Sequence, residues 1–191
     1  MKKLIGSLFL CLLISACGKN PVFSVIQEVS PSDNIADLNG TTKWAYSKAK
    51  AYAYVWNSNA RTFNIKCDDI LSNGTGNWQF TFIASNKATS LDLLVKTDGN
   101  MTVLYENPVD WYYYYYEYSY YAALESYSWS KNSKDWINDI AKLEPNFTTG
   151  KMKLENCYNE INYFVLTFTS DAVPSTYYKV QLLPNYYVYK Q

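Results

Sequence analysis

Histidine is absent from the 191-residue chain. That absence excludes every Ser-His or Cys-His nucleophile and every His-ligated metal centre. Net charge is absent as well, because 17 basic and 17 acidic side chains cancel. The electropositive footprint that nucleic-acid binding requires is therefore missing. Charged residues make up only 18% of the chain and hydrophobic ones 48%, which excludes an intrinsically disordered chain. No Gly-rich phosphate loop, GxSxG elbow or calcium loop occurs. What the chain does have is aromatic: 18% of its residues, including 20 tyrosines. Its length suits one domain, or two very small ones, with a real core.

The N-terminus has the three parts of an export signal. Lys2 and Lys3 are basic, Leu4 to Ile14 is an apolar run broken only by Gly6 and Ser7, and the small residues Ser15 and Ala16 precede Cys17. The run falls short of the roughly 20 residues that span a bilayer. The stretch Ile14-Ser15-Ala16-Cys17 closely resembles the bacterial lipobox. The resemblance implies diacylation of Cys17 and cleavage before it, leaving a lipid anchor in the cell envelope. Residues 1–16 would then be a signal peptide and 17–40 a lipidated tether. Cleavage would leave 175 residues with 15 basic and 17 acidic side chains, since Lys2 and Lys3 depart. Gly18 stands where lipoproteins kept in the inner membrane carry aspartate, so an outer-membrane destination is expected in a two-membraned cell. The outer face of the cell membrane is expected in a one-membraned cell.

Of the four cysteines, Cys11 leaves with the signal and Cys17 carries lipid. Cys67 and Cys157 remain, an even pair in an exported chain. They are candidates for a disulfide worth about 4 to 5 kcal/mol in the chain-entropy model. The alternative is two separate buried thiols. Two sulfurs without histidine or a CxxC spacing make a poor metal set, so no metal and no cofactor are expected.

Ala45, Ala49, Tyr52, Ala53 and Trp56 recur at helical spacing, which predicts a helix over 43–58 with Thr42 as a cap. The period then changes. Thr62 to Asp69 and Trp78 to Phe82 alternate, and Leu91 to Lys96 and Met101 to Tyr105 flank Asp98-Gly99. These read as four antiparallel strands. A helix capped by Ser133, carrying Trp136, Ile137 and Ile140, is ended by Pro145. Strands follow at Lys151 to Glu155, Tyr163 to Thr169, Tyr177 to Leu183 and Tyr186 to Tyr189, with Asn159 in a turn. One offset of 86 pairs Phe80-Thr81-Phe82 with Leu166-Thr167-Phe168 and Leu91 with Tyr177, the signature of a duplication. The expected fold class is α+β: two tandem repeats, each one helix packed on a four-stranded antiparallel meander. They would occupy 41–106 and 131–191, with a Tyr-rich connector at 107–130.

Trp44 to Trp56, Trp78 to Phe82 and Leu91 to Val103, followed by Trp136 to Leu143 and Tyr163 to Tyr189, together resemble tandem PepSY-like repeats and the related cystatin-like shape. The second segment departs from that pattern, with Pro184-Asn185 where the family has a glycine turn. The resemblance implies binding, as in peptidase propeptides and inhibitors, and no catalysis. Fold likeness alone is weak ground for function.

The connector reads Trp-Tyr-Tyr-Tyr-Tyr-Tyr-Glu-Tyr-Ser-Tyr-Tyr from Trp111 to Tyr121. Consecutive tyrosines in a strand face both sides. Some rings are therefore exposed or covered by a neighbouring unit. Trp111, Tyr113, Tyr115, Tyr118 and Tyr120 become candidates for partner binding, because tyrosine buries a large ring at low entropic cost. The other readings are a packed linker between the sheets and a membrane-interface belt. Asp68, Asp69, Asp110 and Glu117 supply carboxylates near aromatics, but their spacing matches no glycosidase pattern. The expectation is a non-catalytic envelope lipoprotein that binds a protein partner as an accessory or inhibitor-like subunit. A carbohydrate or peptidoglycan binder and a structural spacer are the alternatives.

Overall fold

The computed structural model describes residues 39–87, 89–108, 124, 127, 129–160 and 163–191. The signal, Cys17, most of the tether and all five aromatic candidates of the connector lie outside the described residues.

Helix α1 (Thr42–Trp56) is alanine-rich, and it buries Ala45, Tyr46, Ala49 and Ala53. Its N-cap is Thr41, one residue before the expected position, and that side chain makes no capping bond. Strands β1 (Arg61–Ile70), β2 (Trp78–Ile83), β3 (Thr89–Val95) and β4 (Met101–Pro108) follow. Helix α2 (Ser133–Leu143) is capped by Asn132 in place of Ser133. The Asn132 side chain accepts from Lys134 N at 2.9 Å, and Asp135 accepts the Asn132 N–H at 2.9 Å, closing a capping box. Pro145 starts a 3-10 turn (Pro145–Thr149) that buries Phe147. Strands β5 (Met152–Glu160), β6 (Tyr163–Ser170), β7 (Tyr178–Leu183) and β8 (Tyr187–Lys190) complete the chain. β5 runs straight through Asn159, where a turn was expected, because it pairs with β6 as far as Glu160 and Tyr163.

The expected fold of two tandem helix-plus-meander units is overturned. The described residues form one eight-stranded antiparallel sheet in the order β4-β3-β2-β1-β5-β6-β7-β8, mostly β, with two α-helices among them. Strands β1 and β5, which would each be the open edge of a separate sheet, pair with each other: Cys67 faces Leu154 and Ile70 faces Met152. The physical reason is that an unpaired edge leaves a row of N–H and C=O groups to be satisfied, and this pairing removes two edges at once. Nor does the single offset of 86 hold. Leu91 faces Phe82 on β2, whereas the partner of Phe168 is Tyr178. Tyr177 is exposed.

Register places both helices on one face. Leu93, Phe80 and Ile65 lie opposite one another across β3, β2 and β1. Cys67, Leu154, Phe168 and Tyr178 continue the row across β1, β5, β6 and β7. Ile65 and Cys67 are two apart on β1, so all these side chains point the same way. Tyr46 of α1 meets Phe80 at 5.8 Å between ring centroids, and Trp136 of α2 meets Phe168 at 6.2 Å. Trp129, at a positive φ of 53°, packs at a tilt between Tyr46 and Trp136 and bridges the helices.

A buried hydroxyl locks the layers together. Ser133 Oγ donates to Gly74 O and accepts from Thr42 N at 3.0 Å, joining α2, the β1–β2 turn and the start of α1. Gly74 has a φ of +80°, and a Cβ there would sit 2.3 Å from Lys134 N. Only glycine fits.

Candidate functional site: the helix-free face of the sheet

The alternate residues of each strand face away from the helices. On the β1 side the register gives two rows across four strands. Asn64, Thr81, Asp92 and Tyr105 form one, and Lys66, Gln79, Leu94 and Thr102 the other. On the β5 side Tyr158, Val165, Gln181 and Tyr187 form a row, and Asn156, Thr167, Lys179 and Tyr189 the next. The second half is the more aromatic. Tyr158, Tyr163 and Tyr187 are exposed, and the rings of Tyr187 and Tyr189 stack at 5.5 Å. Val165, between Tyr158 and Gln181 in the first of these rows, is almost fully covered. Tyr105 is the exposed ring at the far edge.

The β1–β5 seam is charged. Lys151 approaches Asp69 across it at 3.5 Å. Lys153 pairs with Glu155 at 2.5 Å, and Thr169 donates to Glu155 at 3.0 Å. The hydrogen bond to Glu155 and its charge raise the Lys153 amine, and the bond from Lys153 lowers the Glu155 carboxyl, so both stay charged. Two shallow clefts flank the seam. One, of about 280 Å³, is lined by Lys153, Glu155, Thr169, Asp171 and Tyr177. The other, of about 180 Å³, is lined by Lys66, Asp68, Asn77 and Gln79. Lys179 donates to Thr167 at 2.8 Å on the same face.

The expected Cys67–Cys157 disulfide is not formed: both thiols are free. Cys67 faces Leu154, three residues from Cys157 along β5. At about 3.3 Å per residue that is some 10 Å, beyond the reach of a bridge. Burial pushes the Cys67 thiol up to about 12 and the Cys157 thiol to about 11. Cys157 Sγ donates to Asn64 Oδ1 at 3.0 Å. Thiols held protonated in this way make poor nucleophiles.

A second polar cluster lies at α2. Asp139 accepts from Lys131 at 2.6 Å, Lys142 at 2.6 Å and the Tyr186 hydroxyl at 2.9 Å. Burial raises the Asp139 carboxyl, but these three donors outweigh it and hold it at about 2. Burial and the neighbouring carboxylate raise the Tyr186 hydroxyl. Lys131 also lies over the Tyr186 ring at 4.5 Å. The cluster fastens the start of β8 to α2. Among the described residues, no group of three His, Cys, Asp or Glu side chains could hold a metal ion. Among the same residues no helix is long and apolar enough to cross a membrane.

No protein-family model, no curated protein and no solved structure matches this chain. The likenesses to lipobox lipoproteins and to PepSY-like repeats rest on the residues that carry them. Sequence reasoning put the binding surface in the connector, and its five aromatic residues lie outside the described residues. It missed Tyr158, Tyr163 and Tyr187, whose signal was their place at alternate strand positions.

Proposed function

We propose that this chain is an envelope lipoprotein, anchored through Cys17, whose non-catalytic ectodomain binds a protein partner on the helix-free face. One observation carries the reading: Tyr158, Tyr163 and Tyr187 are all exposed on that face, spread from β5 at the seam to the edge strand β8. Tyrosines on a rigid sheet bury much area with little loss of side-chain freedom, which is the composition of protein-binding hot spots. The mixed charges of Lys66, Asp68, Lys153 and Glu155 would set the register of the partner. The absence of histidine and the protonated thiols support a binding role over a catalytic one.

The test is purification of the lipidated protein from its own membranes in mild detergent, followed by quantitative mass spectrometry. A stoichiometric partner should accompany the native chain. It should be lost from a Tyr158→Ala, Tyr163→Ala, Tyr187→Ala variant. A second reading draws on the stacked Tyr187 and Tyr189 rings, which would suit a sugar. Retention of the native chain on peptidoglycan, without a protein partner, would favour it. Absence of both partner and retention contradicts a binding role.

A further inference from the structure

Helix α1 has an unusual outer face. An α-helix advances about 100° per residue. By that step Trp44, Ala51 and Val55 share a stripe on the side opposite the buried Ala45, Ala49 and Ala53, with Tyr54 beside it. An amphipathic helix on a globular domain turns a polar face outward; the outward side of α1 is mixed, with exposed Ser47 between the stripe and Tyr54. Val55 is 88% exposed and Tyr54 44%. Trp44 lies half-buried against Gly99. Lys43 and Lys50 line one side of this stripe and Lys48 the other, and the helix contains no acidic residue. Among the described residues none of these lysines forms an ion pair. Instead Lys48 lies 5.0 Å from the centroid of the Trp44 ring and Lys50 5.2 Å from that of Tyr54.

We infer that this face of α1 rests on an anionic lipid surface. An apolar stripe between rows of lysine is the pattern of interfacial helices: the apolar side chains enter the headgroup region and the ammonium groups meet lipid phosphates. Charge complementarity selects anionic lipid. The helix carries three lysines without an ion pair among the described residues, in a mature chain with 17 acidic side chains against 15 basic. Position selects a bilayer over a soluble partner. α1 is the first described element, and residues 17 to 42 span at most about 85 Å. An acyl group on Cys17 thus keeps α1 beside the membrane at high effective concentration. This proximity rests on the anchoring proposed above, but the lipid contact itself does not need it. The sheet lies behind the helices, so this contact turns the tyrosine-bearing face away from the bilayer, toward a partner.

The test uses the chain from residue 17 onward with Cys17→Ser, which carries no lipid. It is sedimented with vesicles of phosphatidylcholine alone, or with added phosphatidylglycerol. Binding is expected only with phosphatidylglycerol, falling as salt is raised. Lysines near an anionic surface act roughly independently, so Lys43→Gln, Lys48→Gln and Lys50→Gln should weaken binding about five-fold each and about a hundred-fold together. Val55→Asp, at an exposed position that cannot disturb the core, should also weaken it. Lys66→Gln with Lys179→Gln, on the opposite face, should not. No binding, equal binding to both vesicles, or binding unchanged by the α1 variants overturns the inference. Acylation of Cys17 is measured separately by mass on the native protein, so failure of the anchor and failure of the lipid contact are distinct results.

Discussion

Two residue types, cysteine and aspartate, set the chemistry at the smallest scale. Cys67 and Cys157 stay thiols because strand register holds them apart, and their burial keeps them protonated. Iodoacetamide at pH 8 should therefore leave both unmodified in the folded protein. Unfolding in denaturant without reductant should expose both to alkylation. A peptide pair linked through Cys67 and Cys157 would contradict the register. Asp139 gives a pH dependence. Its carboxyl stays ionised in the folded chain down to about pH 2, but in the unfolded chain only to about 4. Folding thus gains stability that is fully present above the unfolded value and fades as pH falls from about 4 toward 2. The gain is about 1 to 2 kcal/mol once the exposure of Lys131 and Lys142 is discounted. Asp139→Asn should lose that amount at neutral pH and show a shallower loss on acidification, measured by urea unfolding across pH.

Elements join where one hydroxyl serves three of them. Ser133→Ala would leave Thr42 N–H without its acceptor and Gly74 O without its donor, both in the interior. A loss of about 1 to 3 kcal/mol is expected from denaturant unfolding. Loss below about 0.5 kcal/mol would mean that water replaces the hydroxyl. Element positions were largely legible in the sequence, and for physical reasons. Alternation at Trp78, Phe80 and Phe82 marks a strand with one buried side, and the spacing of Ala45, Ala49 and Ala53 marks a helix that packs closely. Caps were one residue out at both helices, because Thr41, Thr42, Asn132 and Ser133 are all capping types and only the fold assigns them. β5 was cut short because Asn159 resembles a turn residue. Pairing with β6 carries it into the sheet, a tertiary effect that overrides local preference.

At the scale of the whole molecule the expected fold was wrong, while the connector residues expected to bind a partner lie outside the described residues. Strands announce themselves locally, but the choice of neighbour for β1 is non-local. Two separate meanders and one joined sheet share the same alternation. The row Tyr158, Val165, Gln181 and Tyr187 depends on register across four strands and a bulge between Phe164 and Val165, which no spacing rule supplies. The exposed α1 stripe was visible as residues, but its significance needed the buried side to be known. Joining β1 to β5 creates the continuous helix-free face and sets the helices together on the other side, the arrangement on which the proposed lipid and partner contacts both depend. That seam is the central claim. Hydrogen exchange of the backbone, followed by mass spectrometry of peptides covering Arg61–Ile70 and Met152–Glu160, tests it directly. In one sheet these are the two central strands, and their amides should exchange most slowly, together with β2 and β6. Rapid exchange of alternate amides in both peptides, as on two open edges, would contradict it.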